Sequence, residues 1–154
     1  MNKRVFWRAA AAYALVTMAP VAVLADDDDE NPAIAYREAM MTLIGHNFGP
    51  MQMTLEGKIP WDDARMAGYG KELAALAGLN QMRGFPEGSD KGDTHAKPEI
   101  WKEQAKFKEG SEKMQAEVTK LAAAAKTGSL DNLKAAFGPA AQSCKACHDQ
   151  YRKD

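Results

Sequence analysis

Two thiols and an imidazole lie within five residues near the end of the chain, in Ala141-Gln142-Ser143-Cys144-Lys145-Ala146-Cys147-His148-Asp149-Gln150-Tyr151-Arg152. These are the only two cysteines among 154 residues. On a helix, residues at i, i+3 and i+4 share a face, so Cys144, Cys147 and His148 can grip one object. A haem uses all three at once: its two vinyl groups take the thiols as thioethers while the imidazole binds the iron axially. Three rivals explain less. A Cys144–Cys147 disulfide leaves the adjacent His148 without a role. A thioredoxin-like redox pair stands at the start of a helix beside a sheet, whereas this C-x-x-C is near a helix end. Zinc needs four ligands, so His46 or His95 would have to join; His46 falls about 140° around its helix from Met41 and is expected to face solvent.

Covalent haem attachment needs an exported chain, and the opening stretch MNKRVFWRAAAAYALVTMAPVAVLA has the form of a secretory signal. Lys3, Arg4 and Arg8 precede an apolar run, and Val23-Leu24-Ala25 suits signal peptidase. Residues 1–25 are therefore expected to be cleaved, leaving 26–154 as one periplasmic domain. A retained anchor fits poorly, because Thr17 and Pro20 break an apolar run already short of the ~20 residues that span a bilayer. The signal holds three cations and no acids, so taking it from 20 basic and 21 acidic residues leaves 17 against 21, a charge of −4. With no basic stripe, nucleic-acid binding is not expected. The acidic run Asp26 to Glu30 reads as a solvated tail, or less simply as a dock for a basic partner.

The elements that must position the cysteines are helices. Ala, Leu, Met, Glu and Lys dominate, and no run of alternating β-branched residues occurs. Gly/Pro punctuation divides the chain into segments at about 32–56, 62–82, 98–127 and 129–152. In the last, Leu130, Leu133, Phe137, Ala140, Cys144, Cys147 and Tyr151 alternate by three and four, which places both cysteines on a buried seam. The third carries Ile100, Phe107, Met114, Val118, Leu121 and Ala125, interrupted by Gln104 and Ser111. Gly128 offers a left-handed stop and Ser129 a fresh N-cap. In the second, Asp62 caps a face of Met66, Tyr69, Leu73 and Leu76. The stretch Gly84 to Pro98 can only be loop. Pro50 should kink the first helix near Gly49 without ending it. The expected fold is all-α: an antiparallel, up-down-up-down four-helix bundle with the haem in its core near the C-terminal helix.

In the first segment Ile34, Arg37, Met41, Ile44 and Phe48 form one stripe, in which Arg37 is the odd member. A haem propionate would give this cation a partner. Glu38, its neighbour, either touches the haem edge or is solvated. Arg152, one turn after His148, either overhangs the imidazole or offsets the helix dipole. Met40, beside Leu43, reads as core. Met41, one turn after Arg37, falls over the haem face opposite His148. If its thioether binds iron, the site is closed and suits electron transfer. If it only packs there, iron stays five-coordinate, and the absence of a distal hydrogen-bond donor favours NO and CO over O₂.

These residues resemble the class II cytochromes c, most of all the cytochromes c′, on the strength of SCKACHDQYRKD, YREAMMTLIGHNFG, KPEIWKEQAKFK and LKAAFGPAAQ across the whole mature chain. The resemblance implies one covalent haem c on Cys144 and Cys147 with His148 as axial iron ligand. It further implies Arg37 at a propionate, Arg152 on the proximal side, and the segment His95 to Pro98, with His95 and Lys97, at the haem edge. It implies a periplasmic protein, often a homodimer through its first two helices, that binds NO and exchanges electrons with redox partners. An electron carrier with Met41 as sixth ligand is the alternative. An enzyme is not expected, since no acid/base group stands above the iron.

Overall fold

The computed structural model describes residues 31–153; the expected signal peptide over 1–25 and the acidic run 26–30 lie outside the described residues. The chain forms α1 (Pro32–Leu55), α2 (Asp63–Ala77), a 3-10 turn (Gln81–Gly84), the one-turn α3 (Glu99–Lys102), α4 (Gln104–Ala124) and α5 (Leu130–Tyr151). The long helices α1, α2, α4 and α5 make the antiparallel four-helix bundle. α2 and α5 pack along α4, α1 packs on α2 and the 3-10 turn, and α1 meets α5 sparsely.

Local chemistry fixes most of these ends. Pro32 opens α1 behind Asn31, whose side chain accepts from Ala33 N. Asp62 accepts from Arg65 N and Ser129 from Asn132 N, each cap being worth about 1 kcal/mol. Gly128 reverses the chain at φ 68°. α1 runs on through Pro50. Two expected boundaries move. α2 stops at Ala77 rather than 82, because Gly78 N turns back to the carbonyls of Ala74 and Ala75, and Asn80 then caps the separate 3-10 turn. The third segment is two helices, broken where Glu103 adopts φ −118° and ψ 36°.

The main core joins Ile44 and Met51 of α1, Met66 and Leu73 of α2, Met114, Val118 and Leu121 of α4, and Leu133 and Ala140 of α5. A second cluster at the other end holds Phe85, Ile100, Phe107 and Tyr151, with Phe107 edge-on to Tyr151 at 5.1 Å. The α5 seam keeps its alternation but is less buried than expected: Leu130, in the first turn, is 46% exposed, and Phe137, Cys144 and Cys147 are half-buried because the α1–α5 seam beside them is sparse. Ser111, an interruption in the α4 heptads, is buried and donates to Gln81 Oε1 at 2.8 Å. Gly70 lets α2 approach α4: a Cβ there would stand 2.7 Å from Ala122 O and 3.0 Å from Ala125 Cβ. Gly70→Ala should therefore destabilise the bundle by about 1–3 kcal/mol, read as a lower denaturation midpoint with an unchanged denaturant slope.

Candidate functional site

α5 presents Cys144, Cys147 and His148 over just more than one turn. Both thiols are free and half-buried. Cys144 packs against the main core and Cys147 against the Phe85–Tyr151 cluster, so the pair straddles the break between the two apolar clusters. Burial pushes both thiols above their ordinary range, and each cysteine's environment modifies this: Ser143 hydrogen-bonding lowers Cys144, while Cys144 raises Cys147 further. They are therefore protonated at neutral pH. His148 is exposed; desolvation chiefly, then the Arg152 cation, lower its pKa against the opposing pull of Asp149. It is thus neutral near pH 7, the form a metal binds.

A contact across the sparse α1–α5 seam sets the register. Phe48 of α1 and Phe137 of α5 lie with ring centroids 4.2 Å apart. The helices are antiparallel, so seven residues, about 10.5 Å of axis, lead back to Met41 on α1 and forward to Cys144 on α5. Eleven residues lead to Arg37 and to His148. The residues expected above and below a haem therefore stand at matching levels of two helices that touch little.

The stripe of α1 differs in detail from its sequence pattern. Ile34, Arg37 and Ile44 are buried, but Met40 at 4% exposure takes the inward packing position as core, while Met41 is 40% exposed. The two lie 100° apart around the helix. Met41 stands on the flank shared with Phe48, at the margin of an outer groove that it lines with His46, Gly49, Pro50 and Met53.

Arg37 is 5% exposed. Its Nη1 donates to Gly84 O (2.8 Å) and Ser89 Oγ (3.4 Å), and its Nη2 to Ser89 O (3.0 Å) and Thr94 Oγ1 (2.7 Å). The guanidinium carbon also sits 5.3 Å from the Phe85 ring centroid and 5.6 Å from that of Trp101. Burial lowers its pKa, with the Glu38 carboxylate opposing. None of the four bonds goes to a carboxylate, and none uses Nε. Glu38 itself is exposed. The acceptors Gly84, Ser89 and Thr94 were not singled out from sequence; the signal available was a cation on an apolar stripe, which must find acceptors somewhere.

The loop carrying His95 and Lys97 lies against the end of α5. Ala96 and Arg152 form an isolated antiparallel bridge, with Lys97 N donating to Tyr151 O (2.9 Å) and Lys153 N to His95 O (2.7 Å). His95 and Arg152 are exposed and Lys97 is half-buried. His46 is exposed on α1, away from the cysteines, and among the described residues no three His, Cys, Asp or Glu side chains gather as a metal cluster. Zinc therefore has no ligand set there. Two free thiols, a neutral imidazole beside them, apolar clusters on both sides and a loosely closed helix seam do fit a porphyrin attached through sulfur.

The sequence profile of the family described as Cytochrome C′ matches residues 32–152. Cytochrome c′ of Alcaligenes xylosoxydans xylosoxydans is 42% identical over 121 residues, 79% of this chain and 93% of that relative. The solved cytochrome c prime of Shewanella frigidimarina superposes with a TM-score of 0.75 at 43% identity, covering 80% of this chain and 95% of that one. A nitric oxide complex of a point variant of cytochrome c prime from Alcaligenes xylosoxidans gives 0.71 at 41% identity, covering 79% and 94%. With a profile spanning the described bundle, relatives above 40% identity and the same helical frame, the chain belongs to the cytochrome c′ family, whose members carry covalently attached haem c.

Proposed function

We propose that this protein is an exported, periplasmic monohaem cytochrome whose iron is five-coordinate and open to NO and CO on its Met41 side. Cys144 and Cys147 hold the haem as thioethers, His148 binds the iron, and Arg37 meets a propionate through the Nε that its loop bonds leave over. Glu38, His95 and Lys97 stand at the haem edge and Arg152 flanks the proximal imidazole. The haem supplies an iron that binds diatomic gases and changes oxidation state by one electron; the chain supplies its shape and exclusions. The supporting observation is the α1–α5 register, which puts Met41 level with Cys144. Met41 brings no hydrogen-bond donor there, so bound O₂ gains nothing from the wall, whereas NO and CO need no such bond. The nitric oxide complex solved for a relative agrees with this reading. Met41 itself can neither give nor take a proton, so we read a binder and electron carrier rather than an enzyme. The exposed Leu43 and Met53 of α1 support pairing of two copies through this helix.

The rival, Met41 as sixth ligand, draws on the same exposure, since an unpacked thioether is free to reach metal. Optical spectra separate the two. We expect a high-spin spectrum in the oxidised and reduced protein, with CO bound on mixing and no methionine–iron charge-transfer band. Met41→Ala should leave that spectrum in place and speed CO association about tenfold, the effect of relieving about 1.4 kcal/mol of crowding. A low-spin wild type turned high-spin by Met41→Ala would establish the rival.

A further inference from the structure

We propose that Thr94–Lys97 is a strap coupling the Met41 helix to the His148 helix, with Thr94 as the positioning residue that sets how His148 meets the iron. The proposal rests on the reading that His148 is the axial ligand. Thr94 is buried, and its hydroxyl oxygen accepts both from Arg37 Nη2 at 2.7 Å and from Ala96 N at 3.2 Å. That single atom joins the α1 cation to the residue that bridges Arg152. On the other side, Lys153 N donates to His95 O at 2.7 Å, Lys97 N to Tyr151 O at 2.9 Å, Lys97 Nζ to Asp149 O at 3.3 Å and Lys153 Nζ to Thr94 O at 3.1 Å.

Every partner of the strap at this end falls within the five residues that follow His148, from Asp149 on α5 to Lys153 just past it. Every α1 partner is Arg37, one turn from Met41 and level with His148 by the Phe48–Phe137 register. The two helices touch little across the seam, so a body wedged between them pushes them apart, and the strap resists at the end nearest the imidazole. Displacing Met41 thereby loads the last turn of α5 through these hydrogen bonds. Groups that hold a metal's ligand tune the metal without touching it.

The test uses haem-loaded protein with two readouts: the iron–histidine stretching band of the reduced form and the exchange of the Lys97 and Lys153 amide protons. Thr94→Val keeps the shape and deletes the acceptor. It should shift the band and speed both amides about tenfold, while Thr94→Ser keeps wild-type values. Lys153→Pro removes the Lys153 bonds to His95 O and Thr94 O without touching Arg37, loosens the strap at its α5 end and should shift the band in the same direction; the double variant should shift it no further than the larger single change, because both act on one connection. Ser111→Ala, which deletes a buried hydrogen bond to Gln81, should leave the band in place. An unmoved band in Lys153→Pro, an additive double variant, a Thr94→Ser that behaves as Thr94→Val, or an equal shift from Ser111→Ala overturns the strap. A wild type with no iron–histidine band would instead overturn the ligand assignment, and the amide exchange would still decide the strap.

Discussion

Protein exported with both Cys144 and Cys147 replaced by serine should weigh no more than its amino acids, while wild type carries one haem through acid extraction. The expectation follows from the thiols themselves. Both are free, half-buried and held protonated by their surroundings, and each leans on a different apolar cluster. Serine matches them closely in size but does not add to a vinyl group. A single replacement should retain one thioether and one free vinyl, whose extra conjugation moves the haem absorption to longer wavelength, so mass and colour together count the bonds. The double variant should also unfold at a lower temperature than wild type, because the seam between α1 and α5 has little of its own to hold it closed. A Cys144→Ser, Cys147→Ser chain that still carried haem through acid extraction would remove the basis of the site.

The helices were legible because their signals are local. Asp62, Gly128 and Ser129 each complete a cap or reversal within a few residues, and the α5 seam from Leu133 to Tyr151 is a strict alternation of three and four. Leu130 belongs to that alternation but lies in the first turn, beyond the neighbours that cover Leu133, so the pattern overreached by one position. The C-x-x-C-H run was legible for the same reason, since its meaning lies in spacing on one helix. The break at Glu103 was not. Its carboxylate accepts from Gln150 Nε2 and Tyr151 OH at 3.2 Å each, a tie across 47 and 48 residues that no window of sequence contains. Met40 and Met41 show a finer limit: both border the apolar stripe, and which of two adjacent methionines packs inward depends on the neighbouring helix. Arg37 was visible as an anomaly but not as a hub, because its acceptors come from a loop whose course only the fold determines.

Arg37→Met should cost the loaded protein about 2–5 kcal/mol of stability, the sum expected for orphaning the buried carbonyls of Gly84 and Ser89. For a domain of this size that is a fall of roughly 10–20 °C in the unfolding midpoint. The hydroxyls of Thr94 and Ser89 lose less, since Thr94 Oγ1 keeps its bond from Ala96 N and Ser89 Oγ donates to Pro86 O. Relief from burying a cation works in the other direction and keeps the figure from rising higher, but the rings of Phe85 and Trp101 already offset part of that burial. Arg37→Lys separates charge from geometry. An ammonium keeps the cation yet cannot span four acceptors with two fixed nitrogens, so it should recover less than half of the loss. Denaturant titration of the three loaded proteins reads this directly. A midpoint for Arg37→Met within about 0.5 kcal/mol of wild type, the range of an ordinary surface change, would mean that the guanidinium leaves the loop when haem is present. With the loss at its expected size, Arg37 holds the loop through Nη1 and Nη2, and its burial without an acidic side-chain partner leaves Nε for the haem carboxylate that we propose it meets.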